Sequence, residues 1–433
     1  MPTPRLNFVS LFSGAGGLDL GLESAGWKPL AQIECEADAV GTLELAAKRR
    51  AEREGDSASL IIPERIENCD PAVLRKRLGL RKGELTLIAG GPPCQPFTTH
   101  GLRQALTDRR AAEVWPTYLE YLDEFSPKAI LIENVDGLLS AALKHRPLHL
   151  RNAEGGHLTF DERKGSFLYW LLNELADRGY TVSWGVAEAA DYGVPQMRQR
   201  SLLIGVKGKT PCFIPRPQYG QDGQPPFRTL KDAILGIESL GPVQPLSERK
   251  RAVYEHIPAG GNWRDLPKEM QINTMGKAYE AEGGKSGWWR RLAWDSPTPT
   301  ILGMPDHSST ALIHPDEVRC LSVKECAAAQ SFPTDTEFAG KSRSQYQQIG
   351  NAVPPLLGRA IGLHLVQFLE TRKDPVPAPP PWRRLSSNRR IGTHGWVIPG
   401  NARPHKFKLH VKVRPDHVWA SVQGGGTEES ALF

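Results

Sequence analysis

The sequence predicts an α/β protein: a largely parallel sheet with helices on both faces, interrupted by a smaller, loop-rich region. Three observations carry this. Apolar strand-like runs alternate with amphipathic helical segments through the first 210 residues. Those runs are apolar almost throughout, as strands covered on both faces are. From about 211 to 315 the periodicity fades and Pro, Gly and Trp become dense, in "FIPRPQYGQDGQPPF" and "GGKSGWWRRLAWDSPTPTILGMP".

Taken in order, "NFVSLFS" (7–13) reads as a strand ending at glycines, and "LDLGLESAG" as a helix closed by Gly26. "PLAQIEC" (29–35) is a second strand, followed by a helix with a basic end, "ADAVGTLELAAKRRAER". "LTLIAGG" (85–91) and "KAILIENV" (128–135) are buried strands. "SFLYWLLNELADRGY" (166–180) has helical spacing, and "TVSWGVAEA" and "RSLLIGVKG" read as strands. Helical patterning returns after 316 in "SVKECAAAQSF" and "PPLLGRAIGLHLVQFLE". The tract "PVPAPPP" (375–381) marks a linker. Beyond it, "KFKLHVKVRPDHVWASV" alternates with period two around a Pro-Asp turn, predicting a small basic β-appendage. The expected division is 1–210, an insertion over 211–315, a return over 316–371, and the linker and appendage over 372–433.

The 433 residues carry a net charge of +6, with 39% hydrophobic and 24% charged residues. Segment 372–433 holds eleven Lys and Arg against four Asp and Glu, so the charge sits in the tail. A basic tail beside a near-neutral body suits a polyanionic partner such as nucleic acid. No apolar run reaches the length needed to span a bilayer, and no signal peptide is read. The six cysteines show neither CxxC pairs nor metal-like spacing with histidine, so no metal site is expected and free thiols in a reducing cytoplasm are.

Four features bear on chemistry. "LFSGAGGLDLG" (11–21) is a strand–glycine–helix junction, where backbone can approach a ligand closely. Glu34 ends the next strand, placed to accept hydrogen bonds from ribose hydroxyls; a tight turn with a solvated acid is the plainer alternative. "LIAGGPPCQPFT" (87–98) carries Cys94 just past a buried strand, oriented by Pro92 and Pro93. That placement suits a thiolate nucleophile, although a loop cysteine is also often structural. "LIENVDG" puts Glu133 and Asn134 at a strand end on the same edge, where a desolvated carboxyl serves as a general acid or, more plainly, caps a turn. "YGVPQMRQRSLLIG" offers Arg198 and Arg200 two apart, able to share a face toward one ligand or to form an exposed basic edge.

Together, "FSGAGGLDLG", "GGPPCQPF", "ENV", "QMRQR" and "IGNAVPP" (349–355) resemble, in content and order, the signature blocks of the DNA (cytosine-5)-methyltransferases. The resemblance spans about residues 8–368. It implies a Rossmann-like class I S-adenosylmethionine-dependent methyltransferase sheet with an inserted, loop-rich target-recognition domain. It also implies a residue-by-residue assignment. Phe12, Gly14 and Gly16 would line the S-adenosylmethionine pocket, with Glu34 on the ribose and Asn351 and Val353 closing the pocket. Cys94 would be the nucleophile, Glu133 the acid, and Arg200 a contact to the base, with Arg198 and Gln196 bracing the site. "DRR" (108–110) resembles an element of a mobile loop that closes over a flipped base. The partner implied is double-stranded DNA, with a cognate restriction endonuclease, a monomeric enzyme and a bacterial cytoplasm as associated expectations.

This chain departs from the pattern in two places. An aspartate near the adenine is usual, whereas "IENCDP" offers Asn68 or Asp70. Cys35 stands where a bulkier neighbour of the adenine is frequent. Two rival readings are an RNA cytosine-5 methyltransferase and a catalytically inactive DNA-binding regulator. The first usually shows a Cys-Phe-Thr element, which is absent here; the second typically loses residues that this chain keeps. The cluster "KSGWWRRLAW" (285–294) fits either groove contacts or a small tryptophan core.

Overall fold

A computed structural model describes residues 6–54, 59–93, 109–144, 146, 158–237, 241–280 and 287–371, together with 395–397, 409–412 and 419–422. Seven strands make the main sheet: β1 (Asn7–Leu11), β2 (Lys28–Ile33), β3 (Leu60–Ile62), β4 (Leu87–Gly90), β5 (Ala129–Asn134), β6 (Tyr180–Glu188) and β7 (Gln199–Lys207). Their order is β3-β2-β1-β4-β5-β7-β6. Neighbours from β3 to β5 pair in parallel, whereas β7 runs antiparallel to both β5 and β6. The reversal has a consequence for chemistry. It brings the beginning of β7, with Arg200, to the edge where β1, β4 and β5 end.

Side chains of successive strand residues leave on opposite faces, so apolar runs feed two cores. Val9, Ile33, Ile88, Ile130 and Ile132 join Trp115, Tyr118 and Tyr121 of α4 (Arg109–Phe125) and Phe167 and Leu171 of α5 (Ser166–Asp177). Phe8, Leu87, Ala89 and Leu131 join Leu18 and Leu22 of α1 (Gly17–Ser24) and Leu357, Ile361 and Leu365 of α11 (Pro355–Thr371). Glycines let α1 and α11 touch backbone to backbone, since a Cβ at Gly21 would lie 2.7 Å from the Arg359 nitrogen and from the Gly358 Cα. The last long helix is thereby pinned beside the first. By length and composition Ser342–Thr371 is apolar enough to cross a membrane, correcting the expectation that no such run exists. It is broken between Asn351 and Pro355 and is largely buried, so it serves as core helices.

The loop-rich region has its own interior. Val253, Tyr254, Trp263, Met275, Trp289 and Ile313 form one core, and Trp288 packs against it. Arg291 is 9% exposed and donates to the carbonyls of Ile257 (2.9 Å) and His314 (3.2 Å). Of the two readings of that cluster, the described residues therefore support the core for Trp289 and Arg291. Leu321, with Val323 and Cys326 of α9 (Val323–Ala329) and Tyr346 of α10 (Ser342–Asn351), shares a core with Leu230, Ile234 and Leu292. Past residue 371, strand Gly395–Val397 pairs antiparallel with β6, and Leu409–Lys412 pairs with Trp419–Val422.

One buried acid lies beneath the first loop. Asp19, 1% exposed, accepts from the Ser10 hydroxyl and the Gln32 amide, each at 2.7 Å, tying α1 to β1 and β2. Burial pushes its carboxyl up from 3.8 to about 6, against the opposing pull of those two hydrogen bonds and of Arg50. The folded pKa exceeds the unfolded one, so its stabilising contribution is full below the ordinary carboxylate range and lost as pH rises through about 6. An Asp19→Asn chain can keep its hydrogen bonds if the Gln32 amide turns over. We expect wild type to lose on the order of 1–3 kcal/mol more than Asp19→Asn between pH 4.5 and 7.5. Urea unfolding at both pH values measures this; parallel losses in the two proteins would show that Asp19 does not titrate as described.

Candidate active site

Two groups of residues meet on the C-terminal edge of the sheet. In the first, β1 passes into a turn in which Phe12 (φ 59°), Gly14 (φ 54°) and Gly16 (φ 75°) take left-handed conformations. For a bulky residue such as Phe12 this is an outlier costing about 1–3 kcal/mol. The turn is closed by the Gly16 N–H donating to the Ser13 carbonyl at 2.9 Å. Glu34, 9% exposed just beyond β2, accepts the N–H groups of Gly14 (2.7 Å), Cys35 (2.8 Å) and Glu36 (2.9 Å). A carboxylate has about four acceptor positions, so three amides leave capacity for a ligand hydroxyl.

A Cβ at Gly14 would meet nothing within 4 Å, so the turn faces open space. A Cβ at Gly17 would overlap the Val353 carbonyl, which places Val353 directly against the start of α1. Asn351 ends α10 and is exposed. An open glycine turn, an acid with spare acceptor capacity and a far segment closing one side fit an adenosine-bearing cofactor. Asp70 caps α3 (Pro71–Arg77), accepting from Ala72 at 2.7 Å and Val73 at 3.2 Å, which accounts for an aspartate there without any ligand. Asn68 is exposed, and its amide donates to Glu64 at 3.4 Å. Cys35 is exposed; partial burial and the charges of Glu34 and Glu36 push its thiol up, favouring the neutral form.

The second group lies where β4 and β5 end. Glu133 is 7% exposed, and its carboxylate pairs with the Arg200 guanidinium at 2.9 Å. Burial pushes the carboxyl up, while the positive charges of Arg200 and Arg198 pull it down less strongly. The Asn134 amide donates to the Pro92 carbonyl at 2.8 Å, fastening the Gly-Gly-Pro-Pro turn to the end of β5. The Ser201 hydroxyl donates toward the carbonyls of Asn134 (3.1 Å) and Val135 (2.9 Å), fastening β7 to the same point. A Cβ on Gly91 would lie 2.8 Å from a Glu133 carboxylate oxygen, so only glycine leaves the carboxylate its position. Cys94 and Asp108 lie outside the described residues, as do the side chains of Arg109 and Arg110, which begin α4.

Arg198 and Arg200 do not share one ligand, contrary to what their spacing suggested. Between the short strand Gln196–Met197 and β7 the chain turns Arg198 inward, where it is completely buried. Its guanidinium donates to the carbonyls of Ile301 (3.2 Å), Gly350 (2.8 Å) and Ala352 (2.9 Å). Arg198 is therefore a brace, and Arg200 alone of the two stands beside Glu133. Gln330 belongs to the same brace and gave no sequence signal, because its three partners are distant in the chain. Gly91 stood inside a motif, but its service to Glu133 appears only in three dimensions.

The strand order with reversed β7, the glycine turn after β1 and the acid after β2 define a Rossmann-like S-adenosylmethionine-dependent methyltransferase. The C-5 cytosine-specific DNA methylase family model matches residues 6–367, and the chain belongs to that family. It is 33% identical over 369 residues to Type II methyltransferase M.Sau96I of Staphylococcus aureus, covering 84% of this chain and 76% of that protein. It is 35% identical over 381 residues to Type II methyltransferase M.PspPI of Psychrobacter sp., covering 85% and 80%. Among solved structures, a candidate DNA modification methyltransferase encoded within an E. coli prophage shares the fold, with a TM-score of 0.53 at 22% identity over 84% of this chain and 99% of that one. The chain is a DNA (cytosine-5)-methyltransferase that uses S-adenosylmethionine.

Proposed function

We propose that this chain is the modification enzyme of a Type II restriction–modification system, using Cys94, Glu133 and Arg200 on a cytosine flipped out of duplex DNA. One observation carries the site assignment: the buried Glu133–Arg200 pair stands against Gly91, three residues before Cys94 in the sequence. The restriction–modification context is supported by the Type II methyltransferases to which the chain is similar.

A base inside a stack cannot reach a sheet edge, so flipping comes first and costs a few kcal/mol. The Cys94 thiolate then forms a bond to C6, and the C5–C6 electron pair makes C5 nucleophilic. Glu133 holds a proton at N3 as charge develops there, and its raised pKa keeps that proton available closer to neutral pH. Arg200 faces the O2 carbonyl and stabilises the same charge. S-adenosylmethionine, when bound, would supply an electrophilic methyl group, its S–CH3 bond breaking as C5–CH3 forms and S-adenosylhomocysteine leaving. Once C5 is methylated, loss of its proton and cleavage of the sulfur–C6 bond restore the aromatic ring and the thiolate.

Phe12, Gly14, Gly16, Glu34, Asn351 and Val353 would hold the cofactor, and Asn68 is a better candidate for the adenine edge than the capping Asp70. Catalytic residues 1–210 and 316–371 surround a target-recognition region at 211–315, followed by the appendage 372–433. We take the enzyme to be a cytoplasmic monomer, with a cognate endonuclease encoded elsewhere. Purified protein with labelled cofactor, offered duplex DNA and structured RNA of equal cytosine content, tests the reading: transfer to DNA C5 is expected, and transfer to RNA alone would overturn it.

Two further outcomes are expected. Gly91→Ala should lower kcat by up to about 10²-fold by pushing the Glu133 carboxylate from its place, since even a misplacement of about 1 Å has that effect; unaltered single-turnover rates would contradict the contact. A chain ending at Thr371 loses a tail with eleven basic residues. It should bind DNA with a shallower salt dependence while methylating the same sites. An unchanged slope would remove the appendage from DNA binding.

A further inference from the structure

Two buried bridges connect the same pair of backbone segments. In one, the Ile301 N–H donates to the Gln196 side-chain carbonyl at 2.9 Å. The Gln196 amide donates to the Gln330 carbonyl oxygen, and the Gln330 amide donates to the carbonyls of Ile349 and Ala352, each at 2.9 Å. In the other, Arg198 joins the Ile301 carbonyl to those of Gly350 and Ala352. Gln196, Arg198 and Gln330 are all completely buried. The segments also touch directly, since a Cβ on Gly350 would lie 2.7 Å from the Gly303 nitrogen. One segment flanks Asn351 and Val353. The other begins the loop that carries Leu302 and Met304, 41% and 50% exposed.

We propose that Gln330 is a positioning residue that sets the register between the cofactor segment 349–353 and the recognition-region loop 301–304, so that one side chain controls both cofactor affinity and target fidelity. The proposal rests on the assignment of Asn351 and Val353 to the cofactor pocket. Gln330 suits the task because both ends of its amide are used and their polarity is fixed. Its nitrogen faces two carbonyls at the end of α10, and its oxygen faces a donor. Turning the amide over would set oxygen against oxygen in a dry interior. Arg198 cannot replace it, because Arg198 reaches Ile301 only through the carbonyl and leaves the Ile349 carbonyl untouched.

The test is Gln330→Met, which keeps volume and removes the polar link. Calorimetric binding of S-adenosylmethionine should weaken about tenfold, the loss expected for a hydrogen bond or two. Methylation at sites differing by one base pair from the target should rise relative to the target itself. KM for the cofactor should rise by more than kcat falls. A lowered melting temperature with cofactor affinity and site preference both unchanged would reduce Gln330 to a structural residue and overturn the proposal. Asn351→Ala is the control: if it weakens cofactor binding while Gln330→Met does not, the proposal fails and the pocket assignment stands. If neither does, both fail. Hydrogen exchange on the native chain avoids variants that fold poorly: adding cofactor should slow exchange in 298–305, and no change there overturns the coupling.

Discussion

Cys94→Ala should abolish methyl transfer, lowering the single-turnover rate by at least about 10⁴-fold. Without the thiolate, C5 stays part of an aromatic ring and has little nucleophilicity, so orientation beside the cofactor cannot replace the missing covalent step. DNA and cofactor binding should persist, because the glycine turn, Glu34 and the rest of the chain are untouched. A second experiment isolates the bond itself. In a duplex whose target cytosine carries fluorine at C5, the proton needed for elimination is missing after methylation. Wild type should therefore remain attached to the DNA through denaturing electrophoresis, and Cys94→Ala should not. Attachment by the variant would mean that another residue is the nucleophile.

Glu133→Gln should reduce kcat by about 10²–10⁴-fold, the usual worth of a positioned acid. Direction with pH follows from the surroundings of the carboxyl. Burial raises its pKa, and the Arg200 guanidinium at 2.9 Å, followed by Arg198, opposes that rise. The acid form is active, so wild-type kcat should decline as pH rises through this raised pKa, while the thiolate requirement lowers the rate at the acidic end. In Glu133→Gln the alkaline decline should vanish and the acidic limb remain, since glutamine can hydrogen-bond N3 but has no proton to transfer. A variant within threefold of wild type, or one that keeps the alkaline limb, would remove Glu133 from the acid role.

Much of the framework was legible because its signals are local. Short apolar runs such as Leu87–Gly90 and Ala129–Ile132, bounded by glycine or polar residues, read as strands covered on both faces, and both lie in buried strands. The reversal of β7 was not legible, because "RSLLIGVKG" reads alike in either direction and only its partners decide. The places of Glu34 just beyond β2 and of Glu133 near the end of β5 were legible, because each follows an apolar strand run. Arg198 was misjudged in part, because a two-residue spacing implies a shared face only within one continuous strand, and the strand breaks there. Asp70 was ambiguous for a similar reason: an aspartate before proline looks the same whether it caps a helix or meets a ligand. Gly91 and Asp19 stood inside motifs, but their partners, like those of Gln330, are remote in sequence or across the sheet and no local pattern announces them.

Sequence-specific methylation of cytosine C5 in DNA through Cys94 is the reaction proposed for this chain. The most direct measurement is base-resolution mapping of 5-methylcytosine in the genome of a methylation-free host expressing this chain, beside the same host expressing Cys94→Ala. Methylation confined to one short sequence in the first and absent from the second is the expected result. Soluble, folded wild-type protein that leaves the genome unmethylated, or equal methylation in both hosts, would contradict it.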